Sequence, residues 1–393
     1  MNSKIDSFRK LLSIAMIATG VYFLFAGHVR GNFDSLALGA EPSMAAIAQM
    51  SARMPTFTNA KVESRAAAGS LSDELTRWAK ASADPQWLGY AVPAVNNDRV
   101  VCCNGNGDWN GNGNCGTCRL EDSRHGDNFT TTPSNRTELE APGRIIVLYR
   151  ASAGALNKTR VVSDVCTIDA GGLRVTWLDG VNAAQSVDYL STLVRGKYED
   201  GRWGEKLSHG ALTAIAMHGD DSADKVLNSF VEPSQPESLR KQTAFWLGEA
   251  RGASGFQTLK KLAKTETSNE VRSQIAFALS ISRESGAIDE IIRMAREDES
   301  THVRGQALFW LAQKAGKKAE SAITGAIEND PDTEVKKKAV FALSQMPKDE
   351  GVPKLIQVAE TNKNREVRKQ AMFWLGQSND PRALEFFEKI LTK

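Results

Sequence analysis

LRKQTAFWLG (239–248), VRSQIAFALS (271–280), VRGQALFWLA (303–312), VKKKAVFALS (335–344) and VRKQAMFWLG (367–376) are five versions of one ten-residue phrase. Each begins 32 residues after the one before it, without an insertion anywhere in the series. The segment 32 residues before Leu239, LSHGALTAIA (207–216), keeps the apolar positions and drops the aromatic ones, as an end copy of a repeat array does. Further into each copy, Leu259, Ile291, Ile323, Leu355 and Phe387 share one position. Leu262, Met294, Ala326, Val358 and Ile390 share the position three later, which is amphipathic-helix spacing. Ser268 and Ser300 stand where first helices begin, and Asp330-Pro331 offers a cap followed by a helix-starting proline. Each copy is therefore a helical hairpin. One hairpin cannot bury its own apolar stripe, so six of them over 203–393 predict a stacked all-α solenoid.

The phrase resembles the HEAT repeats of bacterial proteins, in the short form also found in phycobilin lyases. The family's first helix reads Val-Arg-x-x-Ala-x-x-Ala-Leu-Gly. Val367, Arg368, Ala371, Leu375 and Gly376 follow it, with Trp374 in place of the second Ala. The resemblance implies a superhelix of hairpins that works by binding a protein partner. It departs from the di-iron hydroxylases of the same type, whose His-Glu pairs hold metal: His209 and His218 are each followed by Gly. Lyase activity would require a tetrapyrrole partner, to which nothing in the sequence points.

Outside the repeats the chain changes character. Lys4, Arg9 and Lys10 precede an apolar run from Leu11 to Gly27, the pattern of an export signal. At 17 residues the run is also at the lower limit for a bilayer-spanning anchor, so 1–27 is a signal peptide or a membrane anchor. Both readings place the protein in the periplasm, secreted or held at the inner membrane of a bacterial cell envelope. Residues 28–70, rich in Ala, Ser and Gly, are expected to be a disordered spacer. Residues 71–200 are expected to be a small cysteine-containing α+β domain. In it Ser72 would cap a helix running to Ala81, and a hairpin would turn at Asn96-Asn97. Strands are expected at Arg144–Arg150, Lys158–Ile168 and Leu173–Leu178, and a last helix from Ser186 to Val194. This half is also similar to the front domain of exported HEAT-repeat proteins, through Trp87-Leu88-Gly89-Tyr90, Cys102-Cys103 and Cys166-x-x-Asp169-Ala170-Gly171-Gly172. That likeness implies no activity.

Five cysteines, at 102, 103, 115, 118 and 166, are disulfide candidates in an exported chain, and their odd number leaves one over. Stapling would stabilise the loop NGNGDWNGNGN (104–114), which has little apolar surface to bury. A zinc site would use Cys115-x-x-Cys118 with the adjacent pair, whose vicinal geometry suits a tetrahedron poorly. Thiol–disulfide catalysis at Cys115–Cys118 would need a strand before the motif and a helix after it, and a Gly/Asn loop precedes it instead. The Asp108-x-Asn110-x-Asn112-Gly113 run begins like a calcium loop but carries Arg119 at the twelfth position.

Three columns run through the repeats. The Arg column (Arg240, Arg272, Arg304, Lys336, Arg368) is either a binding ladder or a tie between neighbouring repeats. The Phe column (Phe245, Phe277, Phe309, Phe341, Phe373) falls roughly 120° from the apolar stripe of its helix. Gln242, Gln274, Gln306, Lys338 and Gln370 lie three residues before the rings and on the same face. The rings either pack between adjacent first helices or, with the amides, form a stripe for an extended partner. At the next position Trp246, Ala278, Trp310, Ala342 and Trp374 alternate large and small, as interdigitating core residues do.

Lys plus Arg number 49 against 47 acidic residues, and no run of one sign in the repeats is longer than Lys336-Lys337-Lys338. No basic footprint for nucleic acid results. No phosphate-binding Gly loop, Gly-x-Ser-x-Gly or paired His is present, so neither catalytic residues, a metal nor a cofactor is expected. The sequence reads as a non-enzymatic scaffold that binds a protein through its solenoid. A thiol–disulfide or metal-dependent activity at Cys102, Cys103, Cys115 and Cys118 is the alternative.

Overall fold

The computed structural model describes residues 54–95, 99–103, 117–121, 129–133, 143–196, 205–314 and 316–392. The expected signal or anchor at 1–27, the loop 104–114 and Cys115 lie outside them. Among the described residues no helix is long and apolar enough to cross a membrane. The chain divides into two compact units. One runs to Ala91 and includes Asp98–Val181; the other joins Val92–Asn97 to Asn182–Lys393.

The first unit is α+β. In chain order it holds β1 (Phe57–Thr58), β2 (Lys61–Ala66), α1 (Leu71–Ala81), β3 (Gln86–Pro93), β4 (Arg99–Cys103), β5 (Thr117–Arg119), β6 (Phe129–Pro133), β7 (Arg144–Ser152), β8 (Ala155–Ser163), β9 (Thr167–Asp169) and β10 (Arg174–Asp179). The main sheet runs β2-β10-β3-β7-β8, a second runs β1-β9-β5, and β4 with β6 forms a ribbon. Trp87, Ile146, Leu148, Val162, Ile168, Val175 and Trp177 pack with Cys118 and Cys166 into one core. A side chain at Gly89 would collide with Leu148, so the glycine of Trp87-Leu88-Gly89-Tyr90 is required by packing. Glu121 ties β3 to β7, accepting hydrogen bonds from Trp87 Nε1 at 2.7 Å and from the Arg150 guanidinium at 3.0 Å.

Several expectations change here. The spacer expected over 28–70 contains β1 and β2, because Lys61–Ala66 pairs in parallel with Arg174–Asp179 along its whole length. Five of its six residues are exposed, so backbone pairing rather than apolar content makes the strand. The turn expected at Asn96-Asn97 lies outside the described residues; of the strands flanking it, β3 pairs with β10 and β4 with β6. The strand expected over Lys158–Ile168 is broken by a turn, where the Cys166 N–H donates to the Ser163 carbonyl at 3.0 Å, and its two parts join different sheets. Ser70 rather than Ser72 caps α1. Cys166, one of the disulfide candidates, is a buried thiol, pushed up to about 12 mainly by desolvation.

The second unit is helical: α2 (Ala183–Arg195), α3 (Glu205–Met217), α4 (Ser222–Phe230), α5 (Glu237–Ala250), α6 (Gly252–Thr265), α7 (Asn269–Ile281), α8 (Ala287–Glu297), α9 (Thr301–Lys314), α10 (Lys317–Asn329), α11 (Thr333–Gln345), α12 (Lys348–Thr361), α13 (Arg365–Gln377) and α14 (Pro381–Leu391). From α3 onward these form six hairpins, as the 32-residue period predicts. The apolar columns are what they bury: Val271, Ile275, Leu279, Ile291 and Met294 are each at most 1% exposed, and so are Val303, Ala307, Leu311 and Ile323 one repeat on. Helix α2, capped by Asn182 rather than Ser186, packs on α3. Asp330 is not the expected cap of α11; Asp332 takes that role.

The strap Val92–Val95 pairs with the turn after α3. Val95 N–H donates to the Met217 carbonyl and Gly219 N–H to that of Pro93, both at 2.8 Å, with Ala94 bridged to His218. His218 is fully buried. Its Nδ1 accepts from the Asp220 N–H at 3.3 Å, while Nε2 has no hydrogen-bond partner among the described residues. Arg251 donates to the His218 carbonyl at 2.6 Å and pairs with Asp224 at 2.7 Å. Burial, helped by Arg251 and opposed by Asp220, pulls the imidazole down to about 4. The unfolded chain therefore takes up this proton first as pH falls from about 6.5, and stability is lost down to about 4, where the loss levels off. Over that window the native protein should lose about 3 kcal/mol more than its His218→Gln variant. Urea unfolding at a series of pH values reads this directly, and parallel pH profiles for the two proteins would contradict it.

Candidate functional site

The Arg column turns inward. Arg272 makes a two-point pair with Asp298 (2.9 and 3.1 Å), and both side chains are about 5% exposed or less. Arg304 pairs with Asp330 at 2.8 and 3.1 Å, and Arg240 with Glu266 at 3.0 and 3.2 Å. These carboxylates are the C-cap residues of α6, α8 and α10, 26 residues after their arginines. Each also accepts the N–H two residues on, from Ser268, Ser300 and Asp332. The backbone carbonyls of Glu266 and Asp298 in turn accept from Arg272 and Arg304 of the following hairpin at 2.9 Å. One residue thus holds its own hairpin shut and holds the next one against it. This carboxylate column went unread in the sequence, although a fixed offset of 26 residues inside a 32-residue period was visible there. The ladder changes at the fifth copy, where both partners differ: Lys336 reaches the Glu328 carbonyl at 2.9 Å, and Asn362 stands where a carboxylate would.

The Phe column forms a chain of rings. Phe245 stacks on Phe277 (centroids 6.1 Å apart, planes at 19°), and Phe277 meets Trp310 at 4.5 Å. Phe309 contacts Trp310 at 4.9 Å and stacks on Phe341 at 6.0 Å and 7°; Phe341 then meets Trp374 at 4.9 Å. Trp246 and Phe373 close the two ends, at 5.0 Å from their neighbours. Ring packing between first helices is therefore present, and Trp310 belongs to it rather than to the apolar stripe. Packing does not hide the rings: Phe245, Phe277, Phe309 and Phe341 are half-buried and Phe373 is 54% exposed. Alongside them Gln242, Gln274, Gln306 and Gln370 are half-buried, and their amides take no hydrogen-bond partner among the described residues. Lys338 interrupts the amides. Its stem covers Gly305, and its Nζ points to the Thr301 carbonyl at 3.5 Å.

The cysteine cluster is only partly described. Strand β4 carries Cys102 and Cys103, and it lies against β5, which carries a buried Cys118. Elsewhere in the first unit an open concavity of about 510 Å³ sits where the parallel strands begin, lined by exposed Lys61, Asp84 and Arg174.

The HEAT-repeat family model matches residues 223–312 and 320–393. The helical unit is a HEAT-repeat solenoid. Solved structures with similar chains include the CpcE–CpcF complex of phycocyanin lyase from Nostoc sp. PCC7120, at 19% identity over 39% of this chain and 99% of that one, with a TM-score of 0.30. Human deoxyhypusine hydroxylase aligns at 16% identity over 53% and 90% of the two chains, with a TM-score of 0.24. Kap95p, solved with RanGDP, aligns at 19% over 53% and 32%, with a TM-score of 0.34. No curated protein sequence matches the chain.

Within the HEAT stack, Arg272→Ala strands Asp298 in the interior and should cost about 3–5 kcal/mol in urea unfolding. At the joint between the fifth and sixth repeats, Lys336→Arg and Asn362→Asp should be coupled. Together they should gain about 0.5–3 kcal/mol beyond the sum of the single changes. Additive single changes would mean that the joint is held by something other than the ladder.

Proposed function

We propose that the protein is a non-catalytic scaffold of the bacterial cell envelope that holds a protein partner on the ridge of its HEAT repeats. The observation that carries this is the pair of columns, half-open rings beside half-open amides that no protein group engages among the described residues, repeated on consecutive first helices. Arg240, Arg272 and Arg304 are used up inside the stack and are not open to a partner, whereas the rings of the ridge are half-open. The envelope location is supported by Lys4, Arg9 and Lys10 ahead of the apolar run Leu11–Gly27. The test is capture of partners from an envelope fraction by the parent chain and by the triple variant Phe277→Ser, Phe309→Ser, Phe341→Ser. The variant should lose a specific partner while keeping its helical circular dichroism; a folded variant that retains the partner removes the ridge from consideration.

We also propose that Cys102, Cys103, Cys115 and Cys118 staple the loop 104–114 through two disulfides. Support comes from β4 lying against β5 and from the burial of Cys118. Thiol counting in denaturant without reductant should then find one reactive group, Cys166, and five after reduction. In the native protein at pH 8 the Cys166 thiol, raised to about 12, should be silent. Three or more thiols before reduction would overturn the stapling.

A further inference from the structure

We infer that the last repeat is an interface at which two copies of this chain meet tail to tail about a two-fold axis. The sixth hairpin keeps the residues of an inner repeat on the face that points away from the stack. Ala263, Ala295, Ile327 and Ala359 hold one position and are at most 4% exposed, whereas Leu391 holds it in the sixth repeat and is 83% exposed. Val352 is 3% exposed, and Leu384, its equivalent, 61%. On the first helices Ala244, Ala276, Leu308 and Val340 are fully buried, and Met372 is half-buried. The position four later holds a small residue in every copy: Gly248, Ser280, Ala312, Ser344 and Gly376. A side chain at Gly248 would collide with the backbone of the next first helix at Ala278, while nothing among the described residues stands within 4 Å of one at Gly376. Gly376 thus leaves room for a helix that the described residues do not supply.

Shape, charge and the far end of the stack together identify the occupant. At each inner joint this face is covered by a helical hairpin, first helix on first helix, and the last hairpin of a second copy offers the same two helices. Met372, Phe373, Gly376, Leu384, Phe387 and Leu391 carry no charge, so the patch meets its own image without like-charge repulsion. Beside it, Lys369 is paired with Glu366 at 3.0 Å. The head of the solenoid, by contrast, is closed. Helix α2 packs on α3 and α4, and every residue from Leu207 to His218 except His209 is buried. A tail therefore finds no open apolar face on another copy's first repeat, and head-to-tail growth into fibres is blocked. Copies pair through the same face, an isologous contact that closes at two. Helices of 13 and 11 residues, about 20 and 17 Å long and about 10 Å wide, present on the order of 400 Å² per copy in projection. That is a small interface, and the dimer it makes is a micromolar one rather than an obligate one.

The test is sedimentation equilibrium of the full chain, held in a density-matched detergent, from about 1 to about 200 µM. The weight-average mass should rise from 42.8 kDa towards twice that value, with its midpoint in the micromolar range. Leu384→Glu combined with Leu391→Glu should weaken pairing at least tenfold and leave the helical circular dichroism unchanged, because both side chains stand outside the core of the single chain. A parent that stays monomeric to about 200 µM, a mass that grows past the dimer, or a variant that pairs as tightly as the parent overturns the inference. The place of contact is read separately, with a photo-crosslinking residue at position 384 in a mixture of two differently tagged copies. Crosslinks joining the two tags support the tail-to-tail pair. Crosslinks found only within one chain, or only to a different protein, overturn it.

Discussion

A guanidinium buried between helices must find its hydrogen bonds within the protein, because no water reaches it and it does not give up its proton. Arg272 satisfies that demand with a carboxylate from the far end of its own hairpin and a carbonyl from the hairpin before. The regularity of the chain follows from this. The carboxylate sits 26 residues after the arginine, and the next arginine six residues after the carboxylate, so a single inserted residue would misplace a buried charge. Loops usually tolerate insertions. These turns carry the C-cap carboxylate and its bond to the following helix, and the first two also carry the carbonyl that receives the next arginine, which accounts for the constant spacing across the second to fourth repeats.

The same stacking that buries the arginines leaves the aromatic column at the margin of the interface. A ring roughly 120° from the stripe is too far round to enter the core and too near its neighbour to be solvated alone. The rings therefore cover one another. They do so with a period of two repeats: Phe245 with Phe277 and Phe309 with Phe341 lie nearly parallel, and a tryptophan separates the pairs. The alternation Trp, Ala, Trp, Ala, Trp is thus a spacer pattern within the ring chain. Offset aromatic contacts of this kind add rigidity and leave ring edges at the surface.

Hairpins and columns were legible because a repeat states each position five times. Val271, Ile275 and Leu279 could be assigned to the core from sequence alone, since their equivalents agree. Where a feature occurs once, or depends on a distant partner, the sequence was weaker. Lys61–Ala66 has one apolar residue with a branched side chain, Val62, and becomes a strand through hydrogen bonds to a segment more than a hundred residues away. Asp330 reads locally as a cap before proline, yet the buried Arg304 claims it and Asp332 caps instead. The two ways of using the Phe column were not alternatives: half-buried rings pack on one another and still face outward.

The fifth repeat shows that the inner ladder and the outer columns are tuned together. In LysLysLys (336–338) the first lysine replaces the buried arginine and the third replaces the glutamine of the ridge. A lysine at the first place has no fork with which to grip a carboxylate at two points, and Asn362 removes the carboxylate that would need gripping. Buried charge is thereby avoided on both sides of the joint. At the third place the long stem lies over Gly305 and ends the run of amides. The second to fourth repeats consequently share one rigid ladder and one unbroken ridge. A stiff segment holds its surface groups in one arrangement across several repeats, so a partner that spans them meets a surface already ordered.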